Sequence, residues 1–300
     1  MKTKISIIVC THNRGFFIGE CLQSIVSKKG FANDVELLVI DNSSNDGTED
    51  VVVSSNQVDY IKYYYERKIG LSYARNMGMR LSTADWLCYI DDDAKIHSDY
   101  LERAFWVIGN CDFDCFGGIY YAWYPFGKPK WIPKSFGTKI PPRNTLGYID
   151  VPDLSGNNFL IKKEVLEKVG GFPIEYGMTG KTTAYGEENV VQMKLLKMGY
   201  KLGFDPELKI DHAVLPHKLK LSWHLKSWYA HGRDGQRFSR EYSFNHIVFL
   251  FFRSLIGAFL KLPAFIGKLV MNKNYYWQNL VWDMVSPVFY RVGQFEALFR

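Results

Sequence analysis

Three times in the first hundred residues a continuous apolar run ends in a cluster of polar side chains. ISIIVC leads into Thr11 and His12, VELLVI into Asp41 to Ser44, and WLCYI into Asp91, Asp92 and Asp93. A run apolar at every position suits a strand covered on both faces, as in a parallel sheet packed between helices. Helix-period segments separate the runs: after the first, Ile18, Cys21, Leu22, Ile25 and Val26 share one face. IKYYYE adds a further strand. Ser72 is expected to cap a helix reaching Leu81, and Ser98 one reaching about Ile108. The order βαβαβαβ predicts an α/β fold: a mainly parallel central sheet with helices on both faces.

In such sheets ligands bind beyond the carboxyl ends of the strands. The three polar clusters occupy those ends, so the fold would gather them on one rim. Adjacent carboxylates repel, and a fold keeps them together where a cation offsets the charge. Asp91 and Asp93 on one face and Asp92 on the other would offer oxygen ligands to Mg²⁺ or Mn²⁺ and a neighbour to a hydroxyl. The competing reading is a solvated turn, since strand-to-helix turns are polar in any case.

Composition fits a globular enzyme, with 47% hydrophobic and 23% charged residues, and does not fit a disordered chain. The net charge of +6 is unevenly spread. From Ala213 to Arg300 there are 12 Lys and Arg against 4 Asp and Glu, leaving 25 against 27 in residues 1–212. A basic, aromatic tail on a near-neutral body predicts an anionic partner for the tail, a membrane surface or a phosphorylated lipid. Cys10, Cys21, Cys88, Cys111 and Cys115 are odd in number and follow no secretory signal, which predicts reduced thiols and a cytoplasmic protein. Cys111 and Cys115 lack a second pair at zinc spacing. Residues 119–148 break the pattern, with five basic residues, five prolines, many aromatics and no acid. They read as a long loop or short hairpins beside the site, able to stack on sugars or lie near phosphates. No recognition helix or RNA-binding signature accompanies them, so nucleic acid is not an expected partner.

Further along, SGNNFLIKKEVLEKVGGF precedes AYGEENVVQMKLLKMGYKLGF. Glu187 and Glu188 open a helix that Gly199 ends at C′. Acids in a first turn favour the helix dipole, which explains both without any chemistry. The same position keeps a general base ionised.

SIIVCTHNR, VIDNSSNDGT, GLSYARNMGM, YIDDDAKI, GNNFLIKKE, GEENVVQMKLLKMGY and the Asp211–His212 pair, in that order, resemble the inverting glycosyltransferases of family 2, with the GT-A (Rossmann-like) fold. The resemblance covers about residues 4–235. The stretch from Gly186 through KLSWHLKSWYAHGRDGQR looks like members that build bacterial cell-surface polysaccharides and glycolipids.

The resemblance implies a role for each matching residue. Thr11 and His12 would line the base pocket, and Asp41 would accept the imide N–H of uracil, favouring UDP or dTDP over GDP. Arg75 would face the substrate near the nucleotide, with Asp91 and Asp92 at the ribose or sugar. Asp93 would bind Mn²⁺ or Mg²⁺ across the two phosphates, with His212 adding a metal or phosphate contact. Asn157 and Asn158 would lie near the transferred sugar and acceptor, and Arg233 would contact the diphosphate. Glu188 aligns with the base that deprotonates the acceptor hydroxyl, with Glu187 its rival, because Glu stands where most members have Asp. The implied activity moves one sugar from a nucleotide-sugar to a glycan or lipid-linked acceptor, on the inner face of the membrane. A nucleotidyltransferase of similar fold would release pyrophosphate instead, and an inactive nucleotide-sugar-binding module would lack the acids.

The expected division places the GT-A catalytic domain in residues 1–212, its donor half to about 110 and its acceptor half from 111. Residues 213–300 form a helical, basic extension. In IVFLFFRSLIGAFLKLPAFIGKLV, Arg253, Ser254, Gly257, Lys261, Ala264 and Lys268 fall on one arc and the rest is apolar. No uncharged run reaches the roughly 18 residues of a spanning helix. A helix lying in a membrane interface, kinked or split at Pro263, is one expectation. A helix packed on the catalytic domain or a partner chain is the other. Oligomeric state is not legible.

Overall fold

The computed structural model describes residues 5–28, 31, 34–55, 60–179 and 183–299. They group into two units. The first comprises Met1–Trp123, Gly137–Gly180 and Glu187–Ala213; the second comprises Tyr124–Phe136, Lys181–Gly186 and Val214–Arg300.

The first unit opens as the apolar runs require. β1 (Ile5–Thr11), α1 (Gly15–Val26), β2 (Val35–Asp41), α2 (Thr48–Ser55), β3 (Ile61–Tyr65), α3 (Leu71–Leu81) and β4 (Trp86–Asp91) alternate. β5 (Ala94–Ile96), α4 (Tyr100–Asn110), β6 (Cys115–Trp123), β7 (Gly147–Ile149), β8 (Asn158–Lys162), α5 (Lys163–Lys168), α6 (Glu187–Lys197) and β9 (Leu202–Ala213) complete it. The strand order is β3-β2-β1-β4-β8-β6-β9-β5, with β7 also on β9. The four strands β3, β2, β1 and β4 are parallel. Beyond β4 the sheet is mixed: β8 runs antiparallel to β4 and β6, and β9 is parallel to β6 but antiparallel to β5 and β7.

Side chains of β1 alternate between two cores, which is why the strand carries no polar face. Ile5, Ile7 and Val9 pack with Ile18, Leu22 and Ile25 of α1 and Leu101, Ala104 and Val107 of α4. Ile8 lies on the other side, with Ala74 and Met79 of α3, Leu166 of α5, and Val191 and Leu195 of α6. Each of the fully buried Leu and Ile side chains contributes about 1.5–3 kcal/mol of transfer free energy. A Leu22→Ala change costs about 2–5 kcal/mol, and more the less the cavity collapses.

Two expected caps are corrected. The residue preceding α3 is Gly70, at φ 145°, while Ser72 is buried and its hydroxyl donates to Tyr176 O at 3.2 Å. α4 starts at Tyr100 behind Asp99, and neither Asp99 nor Ser98 makes a side-chain cap; a His97–Tyr100 backbone turn (Tyr100 N to His97 O, 3.2 Å) starts it instead. Gly199 does end α6, at φ 80°, with Tyr200 N reaching back to Leu195 O.

The second unit is helical: α7 (Leu221–Ser239), α8 (Phe244–Met271) and α9 (Trp277–Glu296). α7 and α9 touch backbone to backbone. A Cβ on Gly232 would lie 1.9 Å from Tyr290 O, and one on Gly293 2.0 Å from Tyr229 O. Only glycine fits either place. Of the aromatic segment 119–148, Trp131 and Phe136 pack around His224 of α7, at 5.3 and 4.8 Å between ring centres, with Trp282 of α9 at 4.2 Å. α8 runs unbroken through Pro263. By length and composition it is long and apolar enough to cross a membrane, because three spaced cations leave an apolar average that a search for uncharged runs does not see.

Candidate active site

Strand register builds the site. Thr11 pairs with Asp41 across β1 and β2, and Cys10 with Asp91 across β1 and β4. The polar clusters therefore finish level on one rim. The far strand reaches the same rim because Ala94 of β5 pairs with His212 of β9, and Ala213 N donates to Asp93 O at 2.9 Å.

Asp91, Asp93 and His212 offer one ligand atom each, all within 4.8 Å of one another. His212 Nε2 lies 3.0 Å from Asp93 Oδ1 and 3.7 Å from Asp91 Oδ2. Two carboxylate oxygens and an imidazole nitrogen form a donor set that fits a divalent cation. Asp91, expected at the sugar, thus joins Asp93 and His212. Asp92 turns away from them, towards Arg14 Nε at 3.9 Å. Burial first, then the charge of Asp93, raises the Asp92 carboxyl well above the usual range.

Arg75, on α3, is the buried cation of the rim. Its Nη1 donates to Glu187 Oε1 at 2.8 Å, and Nη2 stands 3.8 Å from Asp91 Oδ1. The guanidinium lies over the Phe172 ring, 5.2 Å from its centre. Burial raises the Glu187 carboxyl above the ordinary carboxylate range, the charge of Glu188 adds to this, and Arg75 opposes both. Glu188 is half-buried, and its carboxylate has no ion pair or hydrogen bond among the described residues.

The rim at the end of β2 is tightly bonded. Asp41 accepts Ser44 N–H and the Tyr63 hydroxyl, both at 2.8 Å. Each oxygen retains a lone pair for one further donor. His12 Nδ1 donates to Asn42 O at 2.6 Å, which leaves Nε2 as the acceptor. Asn42 ties down the next loop, giving to Lys68 O and receiving from Gly70 N, both at 2.7 Å. Asn42 belongs to the polar cluster at the end of β2, whereas Arg14 and Tyr63 are not among the residues the sequence points to. The only signal for Arg14 is its place just after a strand whose end bears a polar cluster.

Asn157 and Asn158 part company. Asn158 is fully buried: it accepts the Tyr100 hydroxyl at 2.7 Å and donates to Leu208 O at 2.9 Å and Ile119 O at 3.3 Å. Its expected contact with sugar is corrected, because every polar atom is spent joining β8 to its neighbours. Asn157 Oδ1 is buried without a partner, an orphan acceptor of the kind a ligand satisfies. Arg233 is also corrected. In the second unit its guanidinium holds Asp234 at 2.7 and 2.9 Å and Thr183 O at 3.0 Å, leaving little for a diphosphate.

Comparison with known proteins bears on the family and the fold. The chain is 29% identical over 171 residues to glycosyltransferase AglE of Haloferax volcanii, with 56% of each chain aligned; it thus spans about half the length of that relative. It is 22% identical over 228 residues to glucosyl-dolichyl phosphate glucuronosyltransferase of the same organism, covering 73% of this chain and 72% of the relative. Among solved structures it is similar to mannosyltransferase PcManGT from Pyrobaculum calidifontis in complex with GDP-Man and Mn²⁺. The TM-score is 0.66 at 16% identity, over 96% of this chain and 86% of that one. S. aureus TarS 1-349 in complex with UDP gives a TM-score of 0.56 at 16% identity, over 97% and 90%. These two likenesses establish the GT-A fold. The model of the family described as glycosyl transferase family 2 matches residues 6–170, more than half of the sequence, and the chain belongs to that family.

Proposed function

We propose that the protein transfers one sugar from a nucleoside-diphosphate sugar, a UDP-sugar, to a hydroxyl of a glycan or lipid-linked acceptor, inverting the anomeric carbon. The observation that carries this reading is the rim itself: a cation-ready Asp91–Asp93–His212 group next to the buried Arg75–Glu187 pair, with the carboxylate of Glu188 unpaired.

Glu188 takes the proton of the acceptor hydroxyl, whose oxygen attacks C1 of the sugar. The bond from C1 to the diphosphate oxygen breaks on the opposite face, and its electron pair leaves with the nucleoside diphosphate. Asp91, Asp93 and His212 would hold Mn²⁺ or Mg²⁺, which when bound supplies positive charge to the leaving diphosphate. Arg75 adds fixed positive charge in a site of low dielectric. Thr11, His12 and the remaining lone pairs of Asp41 receive the base, Asp92 the ribose, and Asn157 a sugar hydroxyl. The choice of a UDP-sugar is supported by the carboxylate at position 41 and by a fold neighbour that binds UDP. Another neighbour holds GDP-Man, so the nucleobase is the property to test first. The protein acts at the cytoplasmic face of a membrane, attached through α8.

Calorimetric titration with UDP, dTDP and GDP, each with and without Mn²⁺, tests the reading. Mn²⁺-dependent binding of UDP is expected; binding of GDP alone overturns the uridine assignment, and binding of none overturns the donor site.

A further inference from the structure

Helix α8 has two unlike faces. On one, Phe249, Phe252, Ile256, Phe259 and Leu260 are 56–74% exposed. The other looks across an open cavity of about 740 Å³ towards α9. Arg253 and Lys261 of α8 and Arg291 of α9 line that cavity, and Asp283 is the one acid in its wall. A Cβ on Gly257, between the two cations of α8, would meet nothing within 4 Å. The small residue leaves open room where a side chain would fill it.

The charges in the cavity are not balanced from within. Asp283 accepts the Tyr275 hydroxyl at 2.8 Å, and Arg291 donates to Gln294 at 2.6 Å. Among the described residues, neither Arg253 nor Lys261 has a hydrogen bond or an ion pair. Two free cations one helical face apart favour an anion between them. A small soluble anion would account for the cavity but leave the phenylalanine face in water. An acidic lipid accounts for both: acyl chains cover the aromatic face, and the phosphate sits where long basic side chains reach back from the interface.

We propose that the α8–α9 cavity binds the phosphate of an acidic membrane lipid, held by Arg253 and Lys261 with Arg291 beside them, while the Phe252–Phe259 face of α8 lies among the acyl chains. The inference rests on the membrane attachment proposed above and adds a defined headgroup site to it.

Co-sedimentation of the full chain with phosphatidylcholine vesicles, and with vesicles also containing phosphatidylglycerol, tests it. The wild type should prefer the acidic vesicles. Arg253→Gln with Lys261→Gln should lower that binding about thirtyfold, at roughly fivefold per basic group near an anionic surface, and leave neutral-vesicle binding unchanged. Both side chains are exposed, and a melting curve verifies the fold. Lys218→Gln with Lys220→Gln removes the same charge elsewhere; an equal loss there means diffuse attraction and overturns the site. Binding to both vesicles that ignores the Arg253 and Lys261 changes overturns the site but keeps the attachment. Binding to neither overturns both. Heat from inorganic phosphate that the double variant abolishes, without any gain on acidic vesicles, identifies a soluble phosphate and overturns the lipid.

Discussion

The guanidinium of Arg75 and the carboxylate of Glu187, 112 residues apart in the chain, meet at 2.8 Å with each residue only 4% exposed. Arg75 thereby pairs with one of two adjacent acids and leaves the carboxylate of Glu188, the proposed base, without an ion pair or hydrogen bond among the described residues. Glu188→Gln should cut turnover by about 10²–10⁴, the usual worth of a general base, with donor affinity and melting temperature unchanged. Glu187→Gln should instead destabilise the fold, since breaking a buried pair costs about 3–5 kcal/mol at most. Melting curves and steady-state rates on both variants decide the matter, and the opposite pattern would exchange the two roles.

Loss of a cation ligand should separate from loss of the fold. Asp93→Asn removes a charge from a crowded carboxylate cluster, so the metal-free protein should melt no lower than wild type. Titration with Mn²⁺ should show affinity reduced by at least about tenfold, and His212→Ala should do likewise. Equal Mn²⁺ affinity in wild type and both variants would remove the cation from this group.

Neighbouring asparagines should give opposite phenotypes. Asn158→Ala removes the 2.7 Å acceptor of the Tyr100 hydroxyl and a donor from two backbone carbonyls, and should lower stability by about 1–3 kcal/mol for a buried group left unpaired. Asn157→Ala strands nothing and should leave the melting temperature alone while raising KM. Thermal melts paired with KM measurements distinguish the two.

Acid should loosen the helical unit through His224. Burial among Trp131, Phe136 and Trp282 pushes this imidazole down to about 4. A folded-state value below the unfolded value of about 6.5 means that stability is fully present above pH 6.5. It is lost as the pH falls towards 4, because the unfolded chain then binds the extra proton. The melting temperature of wild type should fall over that window, and that of His224→Leu should fall less.

Two helical glycines should respond oppositely to alanine. Gly109 in α4 has nothing within 4 Å of its added Cβ, so Gly109→Ala should stabilise by about 0.5–1 kcal/mol. Gly293→Ala must force α9 from α7 and should lower the melting temperature by many degrees. Differential scanning calorimetry of the two variants reads both signs.

How much of this was legible in the sequence follows from where the information sits. β1, β2 and β4 were readable because burial on both faces writes itself as an unbroken apolar run, and their register then brings Thr11, Asp41 and Asp91 together. The mixed half was not readable. β6, β8 and β9 are joined by pairings such as Cys115 with Leu202, and no local pattern specifies so distant a partner. The acids at 187 and 188 were identifiable as a pair, yet only Arg75 tells them apart. Asn158 looked like a ligand residue because the sequence cannot show that Tyr100 and two carbonyls already occupy it. Residues 213–300 were legible as amphipathic, but the hollow between α8 and α9 depends on packing alone.

The last ligand of the cation group arrives late in synthesis. Asp91 and Asp93 leave the ribosome about 120 residues before His212, an interval of roughly 6–24 s at ordinary elongation rates of 5–20 residues per second. During that time β1 to β4 can fold on local crossovers alone, while the two carboxylates face each other without the imidazole of β9. A prematurely terminated chain would therefore keep the parallel half of the sheet and lack the completed Asp91–Asp93–His212 group. Completion of β9, the strand that gathers β5, β6 and β7, is the event that brings the imidazole to the two carboxylates.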